Sequence, residues 1–181
     1  MASGSEMRRL RYNVAMSLDG YIAGPQGEFD WIVEDRTIDF DALFAEFDTL
    51  LMGRKTFEVM QAQGPGGPAG RKQIFVVSTT LRPDDHPGVS IIKDSVAEKV
   101  AALKASPGKD IWLFGGGTLF RGLLDAGLVD TVEVAVMPVL LGGGIPLLRS
   151  GQRVPGLRLT GSRSLPSGIV MLAYEVPIGN V

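Results

Sequence analysis

Four short apolar runs in this chain stop abruptly, and each gives way to glycine, hydroxyl or charged residues: Ser17-Leu18-Asp19-Gly20, Gly53-Arg54-Lys55-Thr56, Ser78-Thr79-Thr80 and Gly115-Gly116-Gly117-Thr118. Between the runs lie segments with helical periodicity. Parallel strands must be joined by crossovers of a dozen or more residues, usually helical, so this alternation points to an α/β fold with a largely parallel sheet. In an open sheet of that kind the parallel strands end on one edge, and ligands bind there. The four clusters are therefore expected to converge.

Leu10, Tyr12, Val14 and Met16 alternate with Arg9, Arg11, Asn13 and Ala15, which predicts an opening strand with one apolar face. The arginines at its start, Arg8, Arg9 and Arg11, are expected to form a solvated edge. Phe40, Leu43, Phe44 and Phe47 fall at helical spacing and predict a core-facing helix. Thr49–Met52, Gln73–Val77, Val89–Ile92 and Ile111–Phe114 read as buried strands, and Lys55–Gln61 and Thr118–Ala126 as helices, the second closed by Gly127. Ser95 with Glu98 has the spacing of a capping box on a further helix. Gly64 to Gly70 is too rich in breakers to be anything but loop. The tail offers strands near 131–137, 157–162 and 169–176, the last two joined by a Pro166-Ser167-Gly168 turn. The expected architecture is a mixed, mostly parallel, doubly wound sheet flanked by helices, with an antiparallel C-terminal hairpin. Residues 7–178 form one domain in this reading, after a small polar leader over 1–6.

Composition removes several function classes. The chain has 181 residues, 45% of them hydrophobic, enough for one substantial core. Cysteine is absent and His86 is the single histidine, so thiolate chemistry, disulfides and a multi-histidine metal site are excluded, and no metal is expected. His86 sits in the turn Pro83-Asp84-Asp85-His86-Pro87-Gly88 and is expected to be solvated rather than a catalytic base. The 18 basic residues balance 20 acidic ones, which gives no general pull toward nucleic acid. No run reaches the ~20 apolar residues of a membrane span, because Val132 to Leu148 is broken by Pro138 and Gly142-Gly143-Gly144. With no apolar signal segment in view, a cytoplasmic location is expected.

Two of the four clusters suit a phosphorylated ligand. Gly115-Gly116-Gly117 lets a ligand approach the backbone and leads into a helix whose first N–H groups and dipole attract a pyrophosphate. It is not a Rossmann fingerprint, because Phe120 stands where the last glycine is required. Gly53-Arg54-Lys55-Thr56 places two cations and a hydroxyl at another helix start, where cations oppose the helix dipole unless an anion is bound. Ser78, Thr79, Thr80 and Arg82 add donors.

In order and spacing, Met52-Gly53-Arg54-Lys55-Thr56-Phe57-Glu58, Val77-Ser78-Thr79 and Phe114-Gly115-Gly116-Gly117-Thr118-Leu119-Phe120 resemble dihydrofolate reductases over nearly the whole chain. Ser17 to Ala23, Gly127-Leu128-Val129-Asp130 and Pro138-Val139-Leu140-Leu141-Gly142 resemble still more the C-terminal reductase domain of bifunctional riboflavin-biosynthesis proteins and its stand-alone relatives. The resemblance implies an NADPH-dependent reductase that passes a hydride to a small pteridine-, pyrimidine- or flavin-like substrate. It implies that Gly53, Arg54, Lys55 and Thr56 hold the adenosine and its phosphates, Ser78 and Thr79 the 2′-phosphate side, and Gly116, Gly117, Thr118 and Leu119 the pyrophosphate and nicotinamide ribose. Asp19, Gly20 and Ile22 would line the nicotinamide pocket, and relatives often pair as homodimers.

On the substrate side the motifs diverge. The carboxylate that assists protonation in dihydrofolate reductases would fall near Thr37, and Asp39 is the nearby acid on the more apolar side of the helix, hence the candidate catalytic residue. The Asp-Asp-Pro segment of riboflavin-pathway reductases is absent, and Phe114 stands where they carry a glutamate facing a phosphoribosyl pyrimidine. Trp31 after Asp30 resembles the tryptophan of their substrate pocket, and its indole can stack on a flat ring. Asp30, Trp31 and Phe114 are thus the candidate substrate residues. The alternative is a non-catalytic nucleotide-binding or regulatory protein on the same fold.

Overall fold

A computed structural model describes residues 7–64 and 70–177. The expected leader and most of the glycine-rich loop lie outside these residues. The elements run β1 (Leu10–Ser17), β2 (Tyr21–Ala23), α1 (Phe40–Ala45), β3 (Phe47–Gly53), α2 (Arg54–Ala62), β4 (Gln73–Val77), β5 (Val89–Ile92), α3 (Val96–Ala105), β6 (Asp110–Gly115), α4 (Gly117–Asp125), β7 (Thr131–Met137), β8 (Ile145–Pro146), β9 (Arg158–Ser164) and β10 (Val170–Glu175). Eight strands form one sheet in the order β5-β4-β3-β6-β1-β7-β10-β9, and β2 pairs with β8 in a small second sheet. Pairings from β5 through to β7 are parallel, while β7–β10 and β10–β9 are antiparallel. The expected mixed, doubly wound sheet with an antiparallel closing hairpin is the architecture observed.

Side chains of successive strand residues point to opposite faces, and this alternation divides the core. On one face Leu10, Tyr12, Leu51, Ile111, Leu113, Val132 and Val134 pack with Val100 of α3 and with Phe120, Leu123 and Leu124 of α4 as one continuous cluster. The other face carries two separate clusters. Phe47, Leu50, Met52, Val76 and Trp112 pack under Leu43 and Phe44 of α1 and Phe57 of α2. Met137, Leu165 and Ile169 pack with Ala15, Trp31, Ile38 and Ala135. The first draws on β3, β4 and β6, and the second on β1, β7 and the β9–β10 turn.

Several local expectations are corrected. Phe47 is not helical: α1 ends at Ala45, and Phe47 opens β3 with its ring 5.0 Å from that of Trp112. Phe40 is 49% exposed rather than core. A helix of six residues ends before the fourth position of the pattern, so strand pairing with β6 takes Phe47 instead. Ser95 does not form a capping box; it adopts a left-handed conformation with φ 48° and its side chain makes no cap bond. His86 is half-buried rather than solvated, edge-on to Phe57 at 5.3 Å.

The arginines of β1 are likewise not a solvated edge. Arg8 and Arg11 are buried while Arg9 is exposed. Arg11 donates through Nε and Nη2 to the two oxygens of Glu133 at 2.7 and 2.8 Å, pairs with Glu46 and Asp110, and lies over the Phe47 ring at 4.6 Å. Arg8 pairs with Asp48 and donates to Thr49 Oγ1 at 2.6 Å. Burial would raise the Glu133 carboxyl, but Arg11, Thr131 and Asn13 outweigh it and hold that carboxyl below the ordinary glutamate value. A cation on an inward-facing strand position survives there because carboxylates from the C-cap of α1, β6 and β7 surround it. Lys104 of α3 repeats the device with Asp130 at 2.6 Å and the Leu128 carbonyl at 2.8 Å.

Candidate functional site

The parallel pairings of β1, β6, β3 and β4 place their carboxyl ends side by side, so all four terminal clusters meet on one edge. Packing ties them further. In register, Met52 of β3 faces Gly115 of β6, and the next residues start α2 and α4. Thr56, in the first turn of α2, leans over the Gly115-Gly116 turn: a Cβ built on Gly115 would lie 3.2 Å from Thr56 Oγ1, and one on Gly116 3.7 Å from it. Gly115 also has φ +145°, a conformation open to glycine and costly for other residues. A Cβ on Gly117 would meet the Pro146 carbonyl at 2.9 Å.

The first cluster is pinned to the loop after β7. Ser17 Oγ accepts from Tyr21 N at 2.9 Å and donates to Asp19 Oδ1 at 2.7 Å. Asp19 accepts from Leu141 N at 3.0 Å and from Gly142 N at 2.7 Å. The Ser17 hydroxyl and those two N–H groups pull the Asp19 carboxyl down to about 2. Gly20, with φ +91°, accepts from Leu147 N at 2.9 Å, and β2 with Ile22 pairs with β8. Asp19, Gly20 and Ile22 therefore stand beside the segment whose Pro146 carbonyl closes over Gly117.

Neither α2 nor α4 has a side-chain cap at its start: their N-cap residues are Gly53 and Gly116 in extended conformation. The opening N–H groups of both helices have no partner within their own helix. Arg54 and Lys55 are exposed, Arg54 in an i,i+4 pair with Glu58 at 2.7 Å. Thr118 is exposed and Leu119 half-buried. Ser78 is buried, and its Oγ accepts from Thr80 N at 3.2 Å and Leu81 N at 3.1 Å, which turns the chain and leaves Thr79 and Thr80 exposed. This edge is a cradle of glycine backbone, helix starts and cations. It matches the needs of a dinucleotide phosphate.

The remaining candidates lie in or near these two clusters. Phe114 packs on the α1–α2 cluster, 5.2 Å and edge-on from Trp112. Trp31 packs on the other cluster, half-buried, with Nε1 donating to the Glu28 carbonyl at 3.0 Å. Ala15 and Asn13 of β1 are half-buried. Asp30 is exposed. Asp39 is the N-cap of α1, its Oδ1 accepting from Ala42 N at 2.9 Å.

Asp35 is a buried structural carboxylate that the pattern of the sequence did not mark. It is 8% exposed; Oδ1 accepts from Thr37 N at 2.8 Å and Thr37 Oγ1 at 2.5 Å, and Oδ2 from Ser167 N at 3.2 Å. It fastens the β2–α1 segment to the β9–β10 turn. The adjacent Thr37 was the available signal, but the partner 132 residues away was not readable. An open depression lined by Met7, Arg8, Arg9, Gly108 and Asp110 lies at the opposite, amino-terminal edge, among charges already paired. Among the described residues no helix is long and apolar enough to cross a membrane, and no cluster suits a metal ion.

Comparison with known proteins agrees with this geometry. The family model of the RibD C-terminal domain matches residues 8–171. The protein YyaP of Bacillus subtilis is 34% identical over 97% of this chain and 98% of its own length. The riboflavin biosynthesis protein RibD of Corynebacterium ammoniagenes is 27% identical over 74% of this chain, which spans 44% of that protein. A putative riboflavin biosynthesis protein of Shewanella sp. PV-4 superposes with a TM-score of 0.80 at 27% identity, covering 94% of this chain and 99% of that one. Dihydrofolate reductase of Enterococcus faecalis, solved with NADP(H), shares the fold with a TM-score of 0.66 at 19% identity over 92% of this chain and 95% of that one. By a match that spans nearly all its elements, from β1 into β10, the chain belongs to the RibD C-terminal domain family.

Proposed function

We propose that this protein is an NADPH-dependent reductase that delivers a hydride to a small flat heterocycle of the pteridine, pyrimidine or flavin kind. The observation that carries the reading is that β3 and β6 end side by side, with Thr56 filling the space beside the Gly115-Gly116 turn, so that the uncapped starts of α2 and α4 are neighbours. In this reading Gly116, Gly117, Thr118 and Leu119 bind the pyrophosphate side, and Gly53, Arg54, Lys55 and Thr56 the adenosine with its phosphates. Ser78 shapes the turn that presents Thr79. Bound NADPH supplies the hydride, and the protein positions the acceptor and keeps out water. Asp19, Gly20 and Ile22 form the wall next to the nicotinamide, while Trp31, Phe114 and Asp30 border the acceptor.

Asp39 is the proposed proton source, exposed enough for solvent to reprotonate it. Its use as a helix cap also favours the second reading, a nucleotide-binding protein without turnover. A panel of pterin, flavin and quinone acceptors separates the two: NADPH oxidation with any of them eliminates the second. The cofactor assignment is tested by titrating NADPH and NADH. Micromolar NADPH binding with at least tenfold preference over NADH, lost in Arg54→Ala, is expected; no micromolar binding contradicts it.

We further propose a homodimer built on the exposed edge strand β9 and the closing hairpin, which light scattering at twice 19.3 kDa would register.

A further inference from the structure

The chain leaving β8 crosses the start of α4 and then runs along that helix. The carbonyls of Pro146 and Leu147 close over Gly117, 2.9 and 3.6 Å from where a Cβ would stand. Further along the helix, Arg121 donates through Nη1 to the Gln152 carbonyl at 2.8 Å, and Gly151 lies so tightly on the Arg121 guanidinium that a Cβ there would meet it at 2.5 Å. Leu147, Leu148 and Val154 pack on the core cluster that includes Phe120, Leu123 and Leu124 of α4. The beginning of the segment is held as firmly, by the pairing of β2 with β8 and by Leu147 N donating to the Gly20 carbonyl at 2.9 Å.

Arg149 stands between these two anchorages. Its Cγ lies 3.9 Å from the Cβ position of Gly117, so its stem is laid against the first residue of α4. The residue is exposed, and among the described residues its guanidinium pairs with no carboxylate. The acids at the two anchorages are engaged elsewhere: Asp125 holds Arg121, and Asp19 accepts from Ser17, Leu141 and Gly142. A cation at a helix N-terminus opposes the helix dipole, and the first turn of α4 has neither an acidic residue nor a side-chain cap to offset it. An unpaired guanidinium beside open N–H groups becomes favourable once an anion sits between them.

Resting on the reductase reading above, we infer that Arg149 is a further cofactor-binding residue, which clasps the pyrophosphate of the dinucleotide against the start of α4. The pyrophosphate is common to NADPH and NADH, so Arg149 contributes affinity to both and selects neither. That separates it from Arg54, whose loss is expected to fall on NADPH. Arg153 lies on the same segment, exposed, past the Arg121 anchorage and away from Gly117, and serves as its control.

Calorimetric titration of NADP+ and NAD+ into the parent, Arg149→Met and Arg153→Met tests it. Arg149→Met keeps the stem and removes the charge; it is expected to weaken both dinucleotides about tenfold, by the same factor, so that their ratio is unchanged. The fall in affinity between about 20 mM and about 0.5 M salt is expected to be shallower in this variant, a readout that a merely structural role would not move. Arg153→Met is expected to stay within about twofold of the parent. A loss below about threefold in Arg149→Met, a loss confined to NADP+, or an equal loss in Arg153→Met overturns the inference and leaves the reductase reading in place. If the parent binds neither dinucleotide at about 1 mM, the reductase reading fails, and ADP, which carries a diphosphate alone, decides. A loss of about tenfold for ADP in Arg149→Met then supports the anion role of Arg149, whereas an unchanged affinity, or no binding of ADP to the parent, overturns it.

Discussion

Thr56 of α2 occupies the space beside Gly115 of β6: a methyl group added to Gly115 would stand 3.2 Å from the Thr56 hydroxyl oxygen. The pair holds two helix starts at a fixed separation, so its disruption should reach the cofactor before it reaches the rest of the fold. Gly115→Ala meets both that contact and the φ of +145°. It is expected to cost about 1–3 kcal/mol of stability and to weaken NADPH binding about tenfold or more. Thermal unfolding with and without NADPH measures both; an unchanged midpoint shift on NADPH addition contradicts the account.

Arg54 is paired with Glu58 on an exposed surface, and such a pair contributes roughly 0–1 kcal/mol to stability. Arg54→Ala should leave unfolding nearly unchanged while removing most of the preference for NADPH over NADH. Glu58→Gln, which frees the guanidinium, should tighten NADPH a few-fold. Calorimetric titration of both variants with both cofactors checks the pair of outcomes.

Asp39 separates two roles by chemistry. Asparagine caps helices as well as aspartate, so Asp39→Asn should preserve stability, while Asp39→Ala should lose about 1 kcal/mol. If Asp39 supplies the proton, Asp39→Asn lowers kcat at least tenfold with KM for NADPH unchanged. Steady-state rates on any accepted substrate decide; full activity in Asp39→Asn removes it from the chemistry.

Sequence periodicity made the sheet legible because β3 and β6 are apolar runs buried on both faces and β1 alternates apolar with polar residues, and the strand-end clusters made the candidate ligand edge legible because parallel topology brings them together. The failures are local and share a cause. Phe47 and Arg11 satisfy simple patterns, helical spacing for one and strand-edge polarity for the other, yet tertiary partners decided both: Trp112 drew Phe47 into β3, and Glu46, Asp110 and Glu133 drew Arg11 inside. Asp35 and the bonds of Asp19 to Leu141 and Gly142 depend on partners more than a hundred residues away, which no local pattern carries.

Asp19 also sets a pH dependence. Its carboxyl is lowered from 3.8 to about 2, so the folded state binds its proton less readily than the unfolded chain. The stabilisation is present above the unfolded value and is lost as pH falls through about 2. Asp19→Asn should therefore flatten the loss of stability between those two values and leave the curve above pH 5 parallel to the parent. Urea unfolding across that range tests it; an identical acid limb in the variant contradicts it.

Glu133 and Arg11 make a largely buried bidentate pair, and removing Glu133 leaves the buried Arg11 with only Glu46 and Asp110. Glu133→Leu is expected to destabilise by about 3–5 kcal/mol, and the double change with Arg11→Leu to recover part of that loss. A double-mutant cycle by denaturant unfolding measures the coupling.

The central claim, that the carboxyl edge between α2 and α4 holds NADPH, is tested most directly by a crystal structure of the complex with NADP+. The account predicts the pyrophosphate against the backbone N–H groups of Gly116 to Leu119, the adenosine phosphate beside Arg54 and Lys55, and the nicotinamide next to Gly20, open toward Trp31 and Phe114. A dinucleotide bound anywhere else, or none at millimolar NADP+, would contradict it.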